Sequence, residues 1–190
     1  MNQRYQIPPT SPASMAASVR AYLELMRLKN VFLAAITVPL GAQFAIGDAW
    51  INEYLIEVVL QIFAVIFFIG AGNTMNDIKD CEIDKTAHPN RPIPSNKVSI
   101  ENAKKFTWIL WFASISCMGY GAFMLSESGM SWLPLVIIYF SAVILMLSYD
   151  HGPKTKNSGL IGNVSISLMV GAVILYGSSS VSAIESTLAW

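Results

Sequence analysis

The stretch Val58–Asp84, VVLQIFAVIFFIGAGNTMNDIKDCEID, joins an apolar run to a cluster of acids. Its first part, Val58–Gly72, is the apolar run, and Asp77, Asp80 and Asp84 follow it. Carboxylates at the boundary of a membrane are costly to desolvate, so they are usually functional. Because positions i, i+3 and i+7 share one face of a helix, these three carboxylates predict a site for a divalent metal and phosphate.

The composition of the whole chain is that of a membrane protein. Of its 190 residues, 54% are hydrophobic and 13% are charged, and the mean hydropathy is +0.50. A soluble domain carries about 25% charged residues. The formal net charge is zero, so the charge indicates no nucleic-acid partner. The two cysteines, Cys81 and Cys117, lie far apart in the sequence and are interpreted as small apolar packing residues.

Five segments are apolar enough to cross a membrane, which takes roughly 20 residues of helix. They are Arg20–Ile46, Tyr54–Asn76, Ala103–Leu125, Trp132–Ser148 and Leu160–Gly177. Residues 1–19 are rich in Pro, Ser and Ala and predict a flexible polar arm. Residues 20–190 then form one transmembrane domain, and the predicted fold class is all-α, a multi-span helix bundle.

The basic residues predict the orientation of this bundle. All twelve Lys and Arg lie before or early in the first span, between span two and the start of span three, or between spans four and five. The other two connections, residues 47–53 and 126–131, contain neither Lys nor Arg. The positive-inside rule therefore predicts a multi-pass protein of the cell membrane with its N-terminus and acid-rich loop in the cytoplasm.

The acids form one stripe if the second span continues as a helix. At about 100° per residue, Asn73, Asp77, Asp80 and Asp84 share a narrow face, with Asn76 at its edge. Such hard oxygen ligands suit Mg²⁺, which usually also binds substrate phosphate. The alternative is a solvated acidic helix end. We favour the site because the stripe continues a membrane span.

The loop after the stripe reads His88-Pro89-Asn90-Arg91-Pro92-Ile93-Pro94-Ser95. Its three prolines stiffen the backbone, and Arg91 can bind phosphate oxygens in bidentate fashion. An ordinary Pro-rich turn is the alternative interpretation. Five aromatic residues are possible walls of an apolar cavity, although packing is the favoured interpretation of each: Phe106, Trp108, Trp111, Phe112 and Tyr139.

Together these motifs resemble the UbiA family of intramembrane prenyltransferases. The resemblance rests first on Asn76-Asp77-x-x-Asp80-x-x-x-Asp84 followed by Asn90-Arg91-Pro92-Ile93-Pro94-Ser95. The segment Arg27-Leu28-Lys29-Asn30 is similar to the family's Arg-x-x-Asn. Tyr149, Lys154 and the run Gly159–Asn163 are similar to a later family segment. The resemblance covers residues 22–176, and it implies part of a bundle of about nine helices.

The resemblance implies a role for each matching residue. It implies that Asn76, Asp80 and Asp84 hold Mg²⁺ on a prenyl diphosphate, with Asp77 beside them. It implies that Arg91 and Lys154 bind diphosphate oxygens, or that Lys154 holds an acidic acceptor group. Tyr149 is expected near the reacting carbon. The residues expected to complete the polar end of the cavity are Arg27, Asn30 and Asn73.

The residues of these motifs most resemble those of the archaeal branch of the family, which builds ether lipids. That branch transfers a geranylgeranyl group from its diphosphate to geranylgeranylglyceryl phosphate. An aromatic acceptor of a quinone or chlorophyll pathway is the alternative substrate. A membrane protein that binds or transports ions is the alternative of another class. The expected partners are thus a prenyl diphosphate, a lipid or aromatic acceptor and membrane lipid.

One feature of the family is missing from the sequence. Family members have a second Asp-rich motif facing the first, but after Asp150 this chain has a single acid, Glu185. We therefore expect the chain to be the N-terminal part of a longer protein, with an active site that is incomplete by itself.

Overall fold

Helices are the regular elements of residues 12–150 and 160–181, the parts described by this computed structural model. They are α1 (Pro12–Met26), α2 (Leu28–Ile46), α3 (Ala49–Glu53), α4 (Leu55–Lys79), α5 (Cys81–Ala87), α6 (Ile100–Glu127), α7 (Leu133–Asp150) and α8 (Leu160–Ser179). The predicted all-α class is confirmed. The helix α1 begins inside the segment that the sequence predicts as a polar arm.

Three helices, α2, α4 and α6, are long and apolar enough to cross a membrane. Two shorter apolar helices, Leu133–Ser148 within α7 and Ser167–Ser179 within α8, complete the set of five predicted spans. These segments are rich in Ile, Val and Phe, which also suit strands. In lipid, however, a single segment satisfies its own backbone hydrogen bonds only as a helix.

The first predicted span is divided in two at Arg27. This residue has φ 56° and ψ 60°, a left-handed conformation that is uncommon outside glycine. It lies between the end of α1 at Met26 and the start of α2 at Leu28. The break places the side chain of Arg27 beside α4, where the acids begin.

Five helices form a closed ring, in which α2 contacts α4, α4 contacts α6, α6 contacts α7, α7 contacts α8, and α8 contacts α2. The helices α2 and α8 approach each other closely at Gly41 and Gly177. A side-chain carbon at Gly177 would overlap the carbonyl oxygen of Val38, and one at Gly41 would overlap that of Ile174. The hydroxyl of Ser178 also donates to the carbonyl of Gly41 at 3.0 Å. Small residues and an interhelical hydrogen bond are the usual means of packing helices in lipid.

The acid-bearing end of α4 leads into a tightly held loop. Asp80 separates α4 from α5, and its carbonyl accepts from the amide of Asp84 at 2.8 Å. The loop between α5 and α6 is fastened by the buried side chains of Ile93 and Val98, which pack with α1, α5 and the start of α6. Ser99 then caps α6 by accepting from the amide of Asn102 at 3.2 Å. This end of the bundle, which carries Arg27, Asp80 and the loop, is called the polar end below.

Candidate active site

The acid stripe of α4 and α5 faces two different environments. Asn73, Asn76 and Asp80 line a cavity inside the ring of helices. Asp77 and Asp84 are buried on the other side, where they contact arginines. The stripe is therefore shared between a cavity wall and an ion-pair network, although the sequence predicted one face.

The ion-pair network joins two arginines to two aspartates. Arg27 Nη2 donates to Asp77 Oδ1 at 2.5 Å, and Arg91 Nη1 lies 3.5 Å from the same oxygen. Arg91 Nη1 also donates to Asp84 Oδ2 at 2.6 Å. The aspartate side chains are only 3% and 5% exposed, whereas the arginines are about one-third exposed. Each guanidinium thus neutralises a buried carboxylate and still reaches water with its remaining donors.

Asn73 has a structural contact in addition to its place on the cavity wall. Its Nδ2 donates to the carbonyl of Met26 at 2.8 Å. That carbonyl belongs to the last residue of α1, where the helix leaves such groups without an internal partner. Asn73 and Asp77, one turn apart on α4, therefore hold the two consecutive residues Met26 and Arg27 at the helix break.

The cavity has a volume of about 610 Å³. The part of the cavity at the polar end of the bundle is formed by five side chains, Arg27, Asn30, Asn73, Asn76 and Asp80. The remainder is lined almost entirely by apolar and aromatic residues of α4, α7 and α8, including Phe68, Ile69, Met146, Met169 and Val173. A cavity of this size suits a small or medium-sized organic ligand, and its two ends suit a charged head and an apolar tail.

The deep end of the cavity is bounded by Tyr139 and Tyr176, whose ring centroids are 6.3 Å apart. The hydroxyl of Tyr176 donates to Gln61 Oε1, and the hydroxyls of Tyr139 and Ser114 lie 2.7 Å apart. Sequence reasoning singled out neither Gln61 nor Tyr176. The available signal was a glutamine in the middle of an apolar run. Of the five predicted wall aromatics, Tyr139 alone is among the lining residues, whereas Trp108 and Phe112 are exposed on the outer surface of the described bundle.

A second, smaller pocket of about 430 Å³ lies beyond the Arg27–Asp77 pair. It is lined by Glu24, Arg27, Asp77, Arg91 and neighbouring loop residues, so it is polar. Arg27 lines both pockets and separates them. Arg91 lines the second pocket and not the main cavity, although the sequence predicted it on a diphosphate together with Asp80.

The metal site predicted from Asn76, Asp80 and Asp84 is only partly assembled. Asn76 and Asp80 share the cavity wall, but Asp84 bonds to Arg91. Among the described residues, no group of three or more His, Cys, Asp and Glu side chains is placed to hold a metal. One carboxylate and one amide oxygen still fit Mg²⁺, which typically takes one or two carboxylates and completes its shell with water and phosphate.

Two predicted site residues are not placed by the structure. Tyr149 lies near the end of α7, but its side chain is outside the described part. Lys154 falls between residues 150 and 160, also outside the described part. Both helices that flank this segment contribute side chains to the cavity.

Comparison with known proteins places the chain in a family. The chain is 33% identical to digeranylgeranylglyceryl phosphate synthase of Methanococcus aeolicus, over 92% of this chain and 57% of the relative. It is 36% identical to the Methanobrevibacter smithii protein of the same name, over 82% of this chain and 50% of the relative. The chain thus spans about half the length of the curated relatives it matches.

A solved structure has the same fold. It comes from structural and mechanistic work on digeranylgeranylglyceryl phosphate synthase in membranes. The TM-score is 0.75 at 28% identity, over 90% of this chain and 56% of that chain. The sequence profile of the UbiA prenyltransferase family matches residues 34–190. The chain belongs to the UbiA prenyltransferase family.

Proposed function

We propose that this chain acts in a membrane prenyltransferase that transfers a geranylgeranyl group from its diphosphate to geranylgeranylglyceryl phosphate, a step of ether-lipid synthesis. The observation that carries the proposal is a cavity of about 610 Å³ that has both a polar and an apolar end. A prenyl diphosphate has the same two parts. The names of the relatives, which come from methanogens, support the lipid acceptor.

The polar end is proposed to bind the diphosphate. Arg27 offers a guanidinium whose bond to Asp77 uses one of its five donors. Asn30 and Asn76 add amide donors on neighbouring walls. Charge-assisted hydrogen bonds of this type favour a phosphate strongly, and arginine holds it in a fixed orientation.

Asp77 and Asp84 are proposed to act as positioning residues. The carboxylate of Asp77 holds Arg27 and lies 3.5 Å from Arg91, and the carboxylate of Asp84 holds Arg91. Tyr149 stays the residue predicted near the reacting carbon. Lys154 stays the residue predicted on a phosphate of the diphosphate or acceptor.

Mg²⁺ is the proposed cofactor, with Asn76 and Asp80 as the side chains that would hold it at the cavity wall. When bound, it would neutralise negative charge on the departing diphosphate. Asp84 is not among the residues that line the cavity, and its Oδ2 accepts from Arg91, so it is left out of the proposed ligands. The proposed ligand set within the described structure is therefore smaller than the sequence predicted.

The proposed transfer breaks the bond between the allylic carbon and the diphosphate oxygen, and the electron pair leaves with the diphosphate. The acceptor hydroxyl oxygen forms the new bond to that carbon and releases its proton to solvent. Arg27 stabilises the leaving group, and the apolar walls exclude water from the electron-poor carbon. The acceptor phosphate would lie at the same polar end.

The proposed setting is the cell membrane, with the polar end of the bundle in the cytoplasm. The described basic residues of the loops support this orientation, because Lys79, Lys85, Arg91 and Lys97 all lie at that end. The phosphate-bearing heads of both substrates would then reach the polar end from the cytoplasmic side.

The test is an assay of membranes that express the complete gene encoding this chain. They would be incubated with geranylgeranyl diphosphate, Mg²⁺ and separate acceptors, and the products identified by mass. We expect an ether product from geranylgeranylglyceryl phosphate. A prenylated aromatic product would show that the acceptor is aromatic and not a lipid. The absence of any prenylated product would favour an ion-binding or transport protein.

A further inference from the structure

We propose that Tyr139 and Tyr176 form the floor of the cavity and limit the length of the prenyl chain that it accepts. This inference rests on the proposed function, because it concerns the tail of the same diphosphate. Both rings line the cavity and are almost fully buried. They pack in one cluster with Val65, about four turns of α4 away from Asp80. The rings therefore lie where the end of a tail would arrive if its head were bound at the polar end.

Hydrogen bonds to residues outside the cavity hold both tyrosine rings in place. Ser114 Oγ donates to the carbonyl of Ala64 at 2.8 Å, so its single proton is used and Tyr139 must donate to it. Tyr176 donates to Gln61. Neither Ser114 nor Gln61 is among the residues that line the cavity. The hydroxyls thus bond to residues outside the cavity, and the rings remain in its wall.

Gln61 is not explained by packing alone. It is fully buried within α4, and its Nε2 is without a hydrogen-bond partner in the described structure. Such a donor is costly in an apolar interior, where leucine would carry no penalty. Space for the amide exists because residue 121 is glycine, since a side-chain carbon there would overlap Nε2. The hydrogen bond that Gln61 accepts from Tyr176 gives a reason for a glutamine at this buried position.

The depth of the cavity fits a chain of limited length. From Asp80 to Val65, α4 advances 15 residues, or about 22 Å at about 1.5 Å per residue. An extended isoprene unit adds roughly 5 Å, because it contributes four chain bonds of about 1.5 Å that zigzag along the axis. Because the diphosphate head takes up part of this length, the wall has room for the head and about three to four units, close to the four of a geranylgeranyl chain. An additional unit would meet the two tyrosine rings.

The decisive variant is Tyr176→Ala, which opens the floor. Membranes expressing the complete gene would receive equal amounts of geranylgeranyl diphosphate and the diphosphate one isoprene unit longer, with geranylgeranylglyceryl phosphate as acceptor. We expect the ratio of longer to geranylgeranyl product to rise at least about tenfold, as for the removal of a steric limit in an apolar pocket. The matched control is Met169→Ala, on the same helix about two turns nearer the polar end. It should lower transfer of both diphosphates alike and leave the ratio unchanged.

A second variant acts in the opposite direction and covers the case in which Tyr176→Ala fails to fold. Val65→Phe raises the floor and should shift the preference toward the diphosphate one unit shorter. Folding would be checked by elution of each variant as a single peak in mild detergent. Unchanged ratios in folded variants of an active enzyme would overturn the inference alone. No transfer of any prenyl diphosphate by the unaltered enzyme would overturn the proposed function.

Discussion

The guanidinium of Arg27 donates to the carboxylate of Asp77 at 2.5 Å, across 50 positions of the sequence. The backbone of Arg27 is left-handed, a conformation that persists only when surrounding contacts fix it. Asn73 supplies another such contact by bonding to the carbonyl of Met26. The break between α1 and α2 is therefore held by α4, and Arg27 and Asn30 are thereby placed at the polar end of the cavity.

Loss of either partner of this pair should destabilise the bundle. In Arg27→Gln, the carboxylate of Asp77 stays buried without its close partner, and in Asp77→Asn the guanidinium loses its charge contact. We expect each change to cost about 1–3 kcal/mol, less than for a fully buried pair because water reaches Arg27. The measurement is unfolding by denaturing detergent, starting from the protein in mild detergent.

The double variant provides the control. Because both charges are removed together, Arg27→Gln with Asp77→Asn should cost at least about 0.5 kcal/mol less than the sum of the single changes. Strictly additive costs would show that the two side chains are not coupled.

Asp80 and Asp84 should respond differently to the same substitution. Asp80 lies on the cavity wall, so Asp80→Asn should lower prenyl transfer by about 100-fold or more. Asp84 bonds to Arg91 and is buried, so Asp84→Asn should also destabilise the protein, by about 1–3 kcal/mol. Initial rates and unfolding curves of both variants provide the measurement.

The comparison also tests the proposed metal ligands. If Asp80 holds Mg²⁺, the residual activity of Asp80→Asn should need a higher Mg²⁺ concentration than the unaltered enzyme. Normal transfer and normal Mg²⁺ dependence in Asp80→Asn would remove Asp80 from the site.

Much of the bundle could be predicted because hydropathy and length determine where a chain crosses a membrane. The segment Tyr54–Asn76, for example, corresponds to α4 with shifts of a few residues at its ends. The break at Arg27 could not be predicted in this way. It depends on contacts with Asn73 and Asp77, which lie far away in the sequence, and no local Gly or Pro marks it.

The division of the acid stripe has the same origin. Helical periodicity puts Asp77, Asp80 and Asp84 on one side, but it does not say which neighbour each carboxylate meets. Arg27, 50 positions away, bonds to Asp77, whereas Arg91, seven positions further along the chain, bonds to Asp84. The floor of the cavity was likewise hidden, because Gln61 and Tyr176 are 115 positions apart.

The close contact between α2 and α8 predicts a strong effect of a single methyl group. Gly177→Ala would place its carbon against the carbonyl of Val38, so the helices must separate. We expect a cost of about 1–3 kcal/mol, as for overpacking in a core, measured by the same detergent unfolding. Gly171→Ala, on the same helix, is the matched control because a side-chain carbon there meets no atom within 4 Å. Equal stability of the two variants would contradict the packing described here.

The hydrogen bond between Tyr176 and Gln61 predicts a double-mutant cycle in which the two costs are not additive. Tyr176→Phe would leave the buried amide of Gln61 without its bond, at a cost of about 1–3 kcal/mol. Gln61→Leu alone would leave the tyrosine hydroxyl unbonded at a similar cost. The double variant replaces both partners by apolar groups of similar shape, so it should be nearly as stable as the unaltered protein. Unfolding measurements that give the double variant the sum of the two costs would show that the bond does not hold the floor in place.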